Sequence, residues 1–243
     1  MRVAPLLVLL WPGLALAERW LELGLQQQWW REEQGRFVAE DGQLPLLGAG
    51  WRGAEVLAGW EGAASVWLGE VGYRGINQAN TATVFSHSRY HGGSVGLARW
   101  WPAGRGWQTG VGTELLRWRR DIANPLLRRD QAEVYRTALL QAGVRLAMGP
   151  ALELALGVDY PAWTRVDVAL GEFGFERSPQ LRPRGQWSPR LALVSWLEPG
   201  FRLQLGWSRL RFAASPAQQV GSVSVWQPDS ELERVHFSVA RLF

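Results

Sequence analysis

The sequence predicts an all-β chain: an antiparallel up-and-down transmembrane β-barrel of about ten strands, with eight or twelve as the neighbouring counts. Three observations predict it. Sixteen tryptophans are spread along the chain, and Trp20 with Trp29/Trp30, Trp51 with Trp60, Trp107 with Trp118, and Trp187 with Trp196 stand at intervals of nine to eleven positions. A tilted strand crosses a bilayer in roughly 9–11 residues, and indole rings gather at both membrane–water interfaces. Several segments alternate strictly between apolar and polar residues, the period of a strand. Past residue 17, no stretch approaches the roughly eighteen apolar residues of a spanning helix, so any crossing falls to strands.

Residues 1–17, MRVAPLLVLLWPGLALA, read as a secretory signal. Arg2 supplies the positive start, Leu6 to Leu16 the apolar stretch, and Ala15-Leu16-Ala17 the small-x-small cleavage site. Residues 18–243 then form one barrel domain. Tight turns are expected at Trp60-Glu61-Gly62, Pro102 to Gly106, Met148-Gly149-Pro150 and Glu198-Pro199-Gly200. Longer polar loops are expected near 31–45, 76–88, 120–132, 161–186 and 213–232. Four turns and five loops make ten strands and put both chain ends in the periplasm.

The first strand sets Leu21, Leu23 and Leu25 against Glu22, Gly24, Gln26 and Gln28. Ala138, Leu140, Ala142, Val144 and Leu146 alternate with Thr137, Gln141, Gly143 and Arg145, although 131–148 also fits a helix. Leu152 to Tyr160 alternates with Glu153 to Asp159, and Val235, Phe237, Val239 and Phe243 with His236, Ser238 and Ala240. Residues 46–59 are Gly-rich, and 187–197 do not alternate cleanly. An odd interval between two tryptophans puts them on opposite faces of a regular strand, unless a bulge intervenes.

Composition narrows the function. Cysteine is absent, which excludes disulfides and thiol metal sites. The formal net charge is only +4, and no basic run is interleaved with surface aromatics, so nucleic acid is not expected as a partner. Every basic residue is arginine, which suits lipid phosphate but is better explained by the coding bias of a GC-rich genome. No cofactor or metal is expected, and no catalytic residue is assigned.

The expected site residues fall into four groups. Arg145, Glu153 and Glu114 point into the lumen, where a buried charge needs a partner; Arg145 faces Glu153 if Ala147 faces Ala151. At the extracellular rim, Arg117, Arg119, Arg120 and Asp121 cluster beside Trp118. With His87, His91 and Asp229 they are candidates for anion, lipid or metal binding, or for a Ser–His pair with Ser86 or Ser88. The interface girdles comprise Trp20, Trp60, Trp100, Trp101, Trp107 and Trp196 on the periplasmic side, with Trp29, Trp30, Trp51, Trp118 and Trp187 outside. Gln227 to Ser230, QPDS, reads as a turn.

The final segment ERVHFSVARLF looks like the C-terminal strand that outer-membrane barrels present to their assembly machinery. Phe237, Val239 and Phe243 carry the likeness, while Arg241 stands where an aromatic is often found. With WRRDI at 118–122 and QPDS at 227–230, the chain resembles a family of uncharacterised proteobacterial outer-membrane barrels of similar length. The resemblance implies no activity. Omptin proteases carry Asp pairs and an Asp–His pair at the rim; this chain has no DxD, and no histidine lies two residues from an aspartate. Lipid A deacylases carry His-x-Ser in a late strand, whereas His87 and Ser88 are adjacent.

The expected protein is a monomeric outer-membrane barrel with a mostly filled lumen and a structural or small-solute role. Its partners are outer-membrane lipid, lipopolysaccharide and the barrel-assembly machinery. The rival is an outer-membrane protease or lipid hydrolase working at the rim through His87, His91, Asp121 or Asp229. A soluble periplasmic barrel or sandwich is the third possibility.

Overall fold

The computed structural model describes residues 17–33, 37–53, 57–76, 83–124, 129–170, 178–197 and 200–243. Ten long antiparallel strands form the wall: β1 (Ala17–Glu32), β2 (Val38–Gly53), β3 (Trp60–Ile76), β4 (Thr83–Gly104), β5 (Trp107–Asn124), β6 (Arg129–Ala147), β7 (Leu152–Val168), β10 (Ser188–Leu197), β11 (Phe201–Ala213) and β14 (Ser230–Leu242). Two short strands, β8 (Gln180–Leu181) and β9 (Arg184–Gln186), extend the sheet, and β12 (Gln218–Val220) pairs with β13 (Val223–Val225) in a separate hairpin. Sequential neighbours pair, β7 joins β10, and β14 joins β1, which closes the barrel. At the seam Arg19 and Phe243 exchange backbone hydrogen bonds of 3.3 and 3.1 Å. Both chain ends of the barrel therefore lie at one mouth, the terminus end; the opposite mouth is the loop end. The expected signal segment lies outside the described residues except for Ala17, which opens β1.

Three of the expected long loops are mostly strand. β1 and β2 cover most of 31–45, β3 and β4 most of 76–88, and β5 and β6 most of 120–132. Seven strands run 16–22 residues, well past the width of a bilayer. Above the membrane the outward face meets water, so its side chains turn polar while the backbone ladder continues. Polarity was thus a sign of depth, not of a loop. Residues 131–148 are strand β6, not helix. The expected turn Trp60-Glu61-Gly62 is the start of β3; the turn lies before it, where Gly59 (φ 81°) accepts a 2.7 Å bond from Trp100 N.

A bulge sits in β7 where Ala138 pairs with Trp163 but Leu139 pairs with Pro161. The extra residue, Ala162, reverses the parity of the strand. Pro161 and Thr164 consequently both face inward, and Trp163 faces out.

The exterior is that of a transmembrane barrel. Leu21, Leu23, Leu47, Val66, Leu68, Val95, Val111, Leu115, Leu140, Leu156, Leu193, Leu205 and Phe237 form an exposed apolar band. Exposed Trp101 and Trp107, with outward Trp51 and Trp60, flank it at the terminus end; outward Trp29 and exposed Trp163 and Trp187 flank it at the loop end. Trp51 had been expected outside. It pairs with Arg19 near the chain start, because β2 is displaced from the segment predicted for it.

Five expected girdle residues face the lumen instead. Trp20, Trp30, Trp100 and Trp118 are buried inside, and Trp196 shares the inward face of β10 with Val194. The cause is the period of two: in Trp29-Trp30 and Trp100-Trp101 one ring must point in if the other points out. Inward indoles lie across glycines on the next strand. Trp20 opposes Gly50, Trp100 opposes Gly110, and Gly92 sits between Trp67 and Trp118. A Cβ at any of these glycines would strike a ring. Gly110→Val is expected to lose about 1–3 kcal/mol through overpacking, measured by urea unfolding in micelles. Gly96→Ala, whose added atom meets only ordinary contacts, should stay within about 0.5 kcal/mol of wild type.

Candidate functional site

The lumen is divided into a plug at the loop end and a polar chamber below it. The plug is built by inward residues two apart on several strands, so that each strand delivers a pair: Trp30 and Glu32, Ser88 and Tyr90, Trp118 and Arg120, Glu133 and Tyr135. Arg120, with 2% of its side chain exposed, is the centre. Its guanidinium bonds Glu32 Oε1 at 2.8 Å, Glu133 Oε2 at 2.8 Å and Glu40 Oε2 at 3.5 Å.

Each carboxyl group holds three donor contacts. Glu32 Oε1 also accepts from Trp30 Nε1 at 2.9 Å and Gln227 Nε2 at 3.2 Å. Glu40 accepts from Ser88 Oγ at 2.7 Å and from the Tyr90 hydroxyl. Glu133 accepts from Gln131 Nε2 at 3.0 Å. The Tyr135 hydroxyl lies 2.9 Å from Glu133 Oε2 and 3.0 Å from Gln227 Oε1, and its single proton serves one of them at a time. Around this network the rings of Trp118 and Tyr135 stack at 4.5 Å, and Trp30 meets Tyr135 edge-on at 5.2 Å. Leu44, Leu116, Leu139, Leu210 and Leu232 complete a continuous core.

The segment after β11 covers this plug. Gln227 is buried, Val225 packs on the core, and Ser215 and Gln227 are tied by bonds of 2.9 Å from each backbone N–H. Asp229 clasps the base of the segment: Oδ1 accepts from Ala214 N at 2.6 Å, and its carbonyl accepts from Glu33 N at 2.8 Å. QPDS therefore belongs to a strap that turns inward over the plug. WRRDI and QPDS, far apart in sequence, meet at Glu32.

Below the plug lies a cavity of about 320 Å³, and a second of about 440 Å³ opens at the terminus end. They share Arg52, Glu61, Trp100, Arg145 and Glu153. Five carboxylates (Glu22, Glu61, Glu114, Glu153, Asp159) and five arginines (Arg52, Arg145, Arg190, Arg202, Arg234) line the inner cavity, so its formal charge balances. Arg145 reaches Glu61 at 2.6 Å and Glu153 at 3.5 Å, Arg202 reaches Glu22 at 3.1 Å, and Arg190 reaches Asp159 at 3.1 Å. Four of these arginines also face inward indoles: Arg145 over Trp100 at 3.8 Å, Arg202 over Trp20 at 4.2 Å, Arg52 over Trp196 at 5.4 Å and Arg234 over Trp67 at 6.0 Å.

The expected lumen network is thus partly corrected. Arg145 and Glu153 do pair, but diagonally, because Ala147 pairs with Glu153 and not with Ala151. Glu61 on β3 is Arg145's nearer partner, and Glu114 bonds Gln141 at 3.0 Å instead of joining the pair. Of the rim candidates, Arg120 lies inside the plug. Arg117, Arg119 and Asp121 point outward, and Arg119 bonds Asp121 at 2.8 Å. His87 and His91 share the outer face of β4, as an interval of four requires, while Ser88 faces in and bonds Glu40. The nearest carboxylate to His87, Glu70, is 3.9 Å away, and both side chains are exposed. No Ser–His pair forms, and among the described residues no group of His, Asp and Glu is arranged to hold a metal. Phe237 and Val239 lie exposed on the outer side of β14, and Phe243, one residue past its end, is exposed too.

The residues missed from sequence were Glu32, Glu40, Glu61, Tyr90, Glu133 and Arg202. Glu32 and Glu133 carried a signal, an ionisable residue two positions from an inward aromatic, in Trp30-x-Glu32 and Glu133-x-Tyr135; Glu40, Glu61, Tyr90 and Arg202 carried none of that kind.

No family model matches the chain, and no curated protein does. Solved structures similar to it include the outer-membrane protease OmpT from Escherichia coli, at 10% identity over 93% of this chain and 96% of that one, with a TM-score of 0.49. An outer-membrane channel from Pseudomonas putida F1 is 10% identical over 94% and 96%, with a TM-score of 0.48. The translocator domain of the autotransporter NalP from Neisseria meningitidis is 12% identical over 93% and 88%, with a TM-score of 0.47. Identities this low carry nothing about chemistry.

Removing Arg120 would strand three buried carboxyl groups. Arg120→Ala is expected to cost about 3–5 kcal/mol, whereas Arg119→Ala, an exposed pair, should cost about 0–1 kcal/mol. Urea titration of the two variants in micelles, followed by tryptophan emission, compares them.

Proposed function

We propose that the protein is a monomeric outer-membrane barrel, closed at its outer mouth, that acts as a non-conducting structural element with a solute-accessible inner chamber. The single observation that carries this reading is the Arg120 plug, which fills the lumen from wall to wall at the loop end. A plug made of wall side chains does not swing aside as a tethered domain would. In this reading residues 1–17 are a cleaved signal, the terminus end faces the periplasm, and Phe237, Val239 and Phe243 form the assembly signal.

The chamber supports the small-solute part of the proposal. Its formal charges balance, so a polar solute entering it would meet both donors and acceptors on the wall. The enzyme alternative has less support. His87 and His91 lie on the outer wall, away from any nucleophile, and Asp121 and Asp229 are engaged in structural bonds.

The absence of cysteine makes labelling direct. His87→Cys is expected to react with a membrane-impermeant maleimide on intact cells. Ser94→Cys, which lines the chamber, should react only when the reagent enters the periplasm. The reverse pattern would invert the orientation. In planar bilayers the wild-type barrel should pass no single-channel current; steady conductance would overturn the closed-barrel reading.

A further inference from the structure

On the outer wall of β5 to β7, directly above the apolar band, three arginines stand side by side. Arg117 pairs in register with Arg136, and Arg136 pairs with Arg165. The row immediately below is Leu115, Ala138 and Trp163, with Trp163 48% exposed. The row therefore sits at the level where hydrocarbon gives way to headgroups.

Like charges directly opposite each other on neighbouring strands destabilise a sheet. Here one carboxylate, Asp167, serves two of the three cations: Arg136 bonds its Oδ2, and Arg165 Nε bonds its Oδ1 at 2.9 Å. Arg117 has no hydrogen bond or ion pair among the described residues. The wall of β1, β11 and β14 solves the same problem internally. There Glu231 and Glu233 take Arg31 at 3.1 and 3.4 Å, and Glu231 takes Arg209 at 2.5 Å. Among the described residues the β5–β7 row lacks that compensation, which leaves it suited to an anion from outside the chain.

We propose that Arg117, Arg136 and Arg165 form a docking row for the phosphates of lipid A in the outer leaflet. Guanidinium forks bind phosphate oxygens in pairs, and a phosphorylated sugar headgroup lies at the height of the row. Trp163, just below, offers its ring to the acyl–sugar boundary. The proposal rests on the loop end facing outward in the cell. Its test is done in micelles, where orientation plays no part, so the two can fail separately.

The full-length barrel in neutral detergent is incubated with bisphosphorylated lipid A, dephosphorylated lipid A or phosphatidylglycerol, and retained lipid is read by native mass spectrometry. Wild type should retain the bisphosphorylated form, and the other two lipids about tenfold less. Arg117→Gln/Arg136→Gln/Arg165→Gln should lose about tenfold, and Arg117→Gln alone a few-fold. Arg31→Gln/Arg209→Gln, on the compensated wall, should keep wild-type retention. Heat-modifiable gel migration reports folding, and Arg117→Gln breaks no bond, so it remains informative if the triple variant does not fold. Equal retention by wild type and Arg117→Gln, or equal retention of phosphatidylglycerol and lipid A, would overturn the proposal.

Discussion

A guanidinium keeps its proton at any biological pH, so burying Arg120 obliges the lumen to surround it with acceptors. Glu32, Glu40 and Glu133 come from three strands to meet it, and each then needs further donors. Those donors are supplied by Trp30, Ser88, Tyr90, Gln131 and Tyr135 from the wall and by Gln227 from the strap. One buried cation thereby fixes the rotamers of a whole layer and pulls a loop segment down onto it. The filling of the lumen at the loop end follows from that layer. Buried ion pairs are poor sources of net stability but strong determinants of arrangement, because every incomplete version is costly.

The same pairing of arginine with an inward indole recurs down the lumen, at Arg145 on Trp100, Arg202 on Trp20 and Arg52 on Trp196. A barrel of ten strands has room for one large side chain from each side, and glycines opposite the rings provide it. Where leucines join the rings, packed side chains fill the lumen. Where carboxylates alternate with arginines, it opens into a polar chamber. The boundary falls near Leu116 and Leu139, close to the loop-end edge of the apolar band. Outside, the strands continue upward as a charged collar, compensated by glutamates on one wall and left cationic on the other.

The fold was largely legible. Period-two alternation, tryptophans at membrane intervals and the absence of a long apolar helix lead to a closed barrel of about ten strands, and ten long strands close the wall. Loop lengths were not legible, because polar residues above a membrane look alike whether or not their backbone is paired. The tryptophans were legible as a set but not singly. Their intervals identify the membrane, whereas the face of each depends on strand parity, which the Ala162 bulge reverses within β7.

The site was legible only in fragments. Arg145 with Glu153 could be paired from one hairpin, since local register links them. Glu61 could not, because its contact with Arg145 crosses between strands far apart in sequence. Likewise WRRDI and QPDS stand out as motifs, but only closure of the sheet brings Arg120 and Gln227 to the same oxygen of Glu32. Sequence by itself determined what is periodic: strand, membrane band and the inward or outward set of each regular stretch. The tertiary structure decided which inward charges meet, because that depends on shear and bulges around the barrel, and no local pattern encodes them.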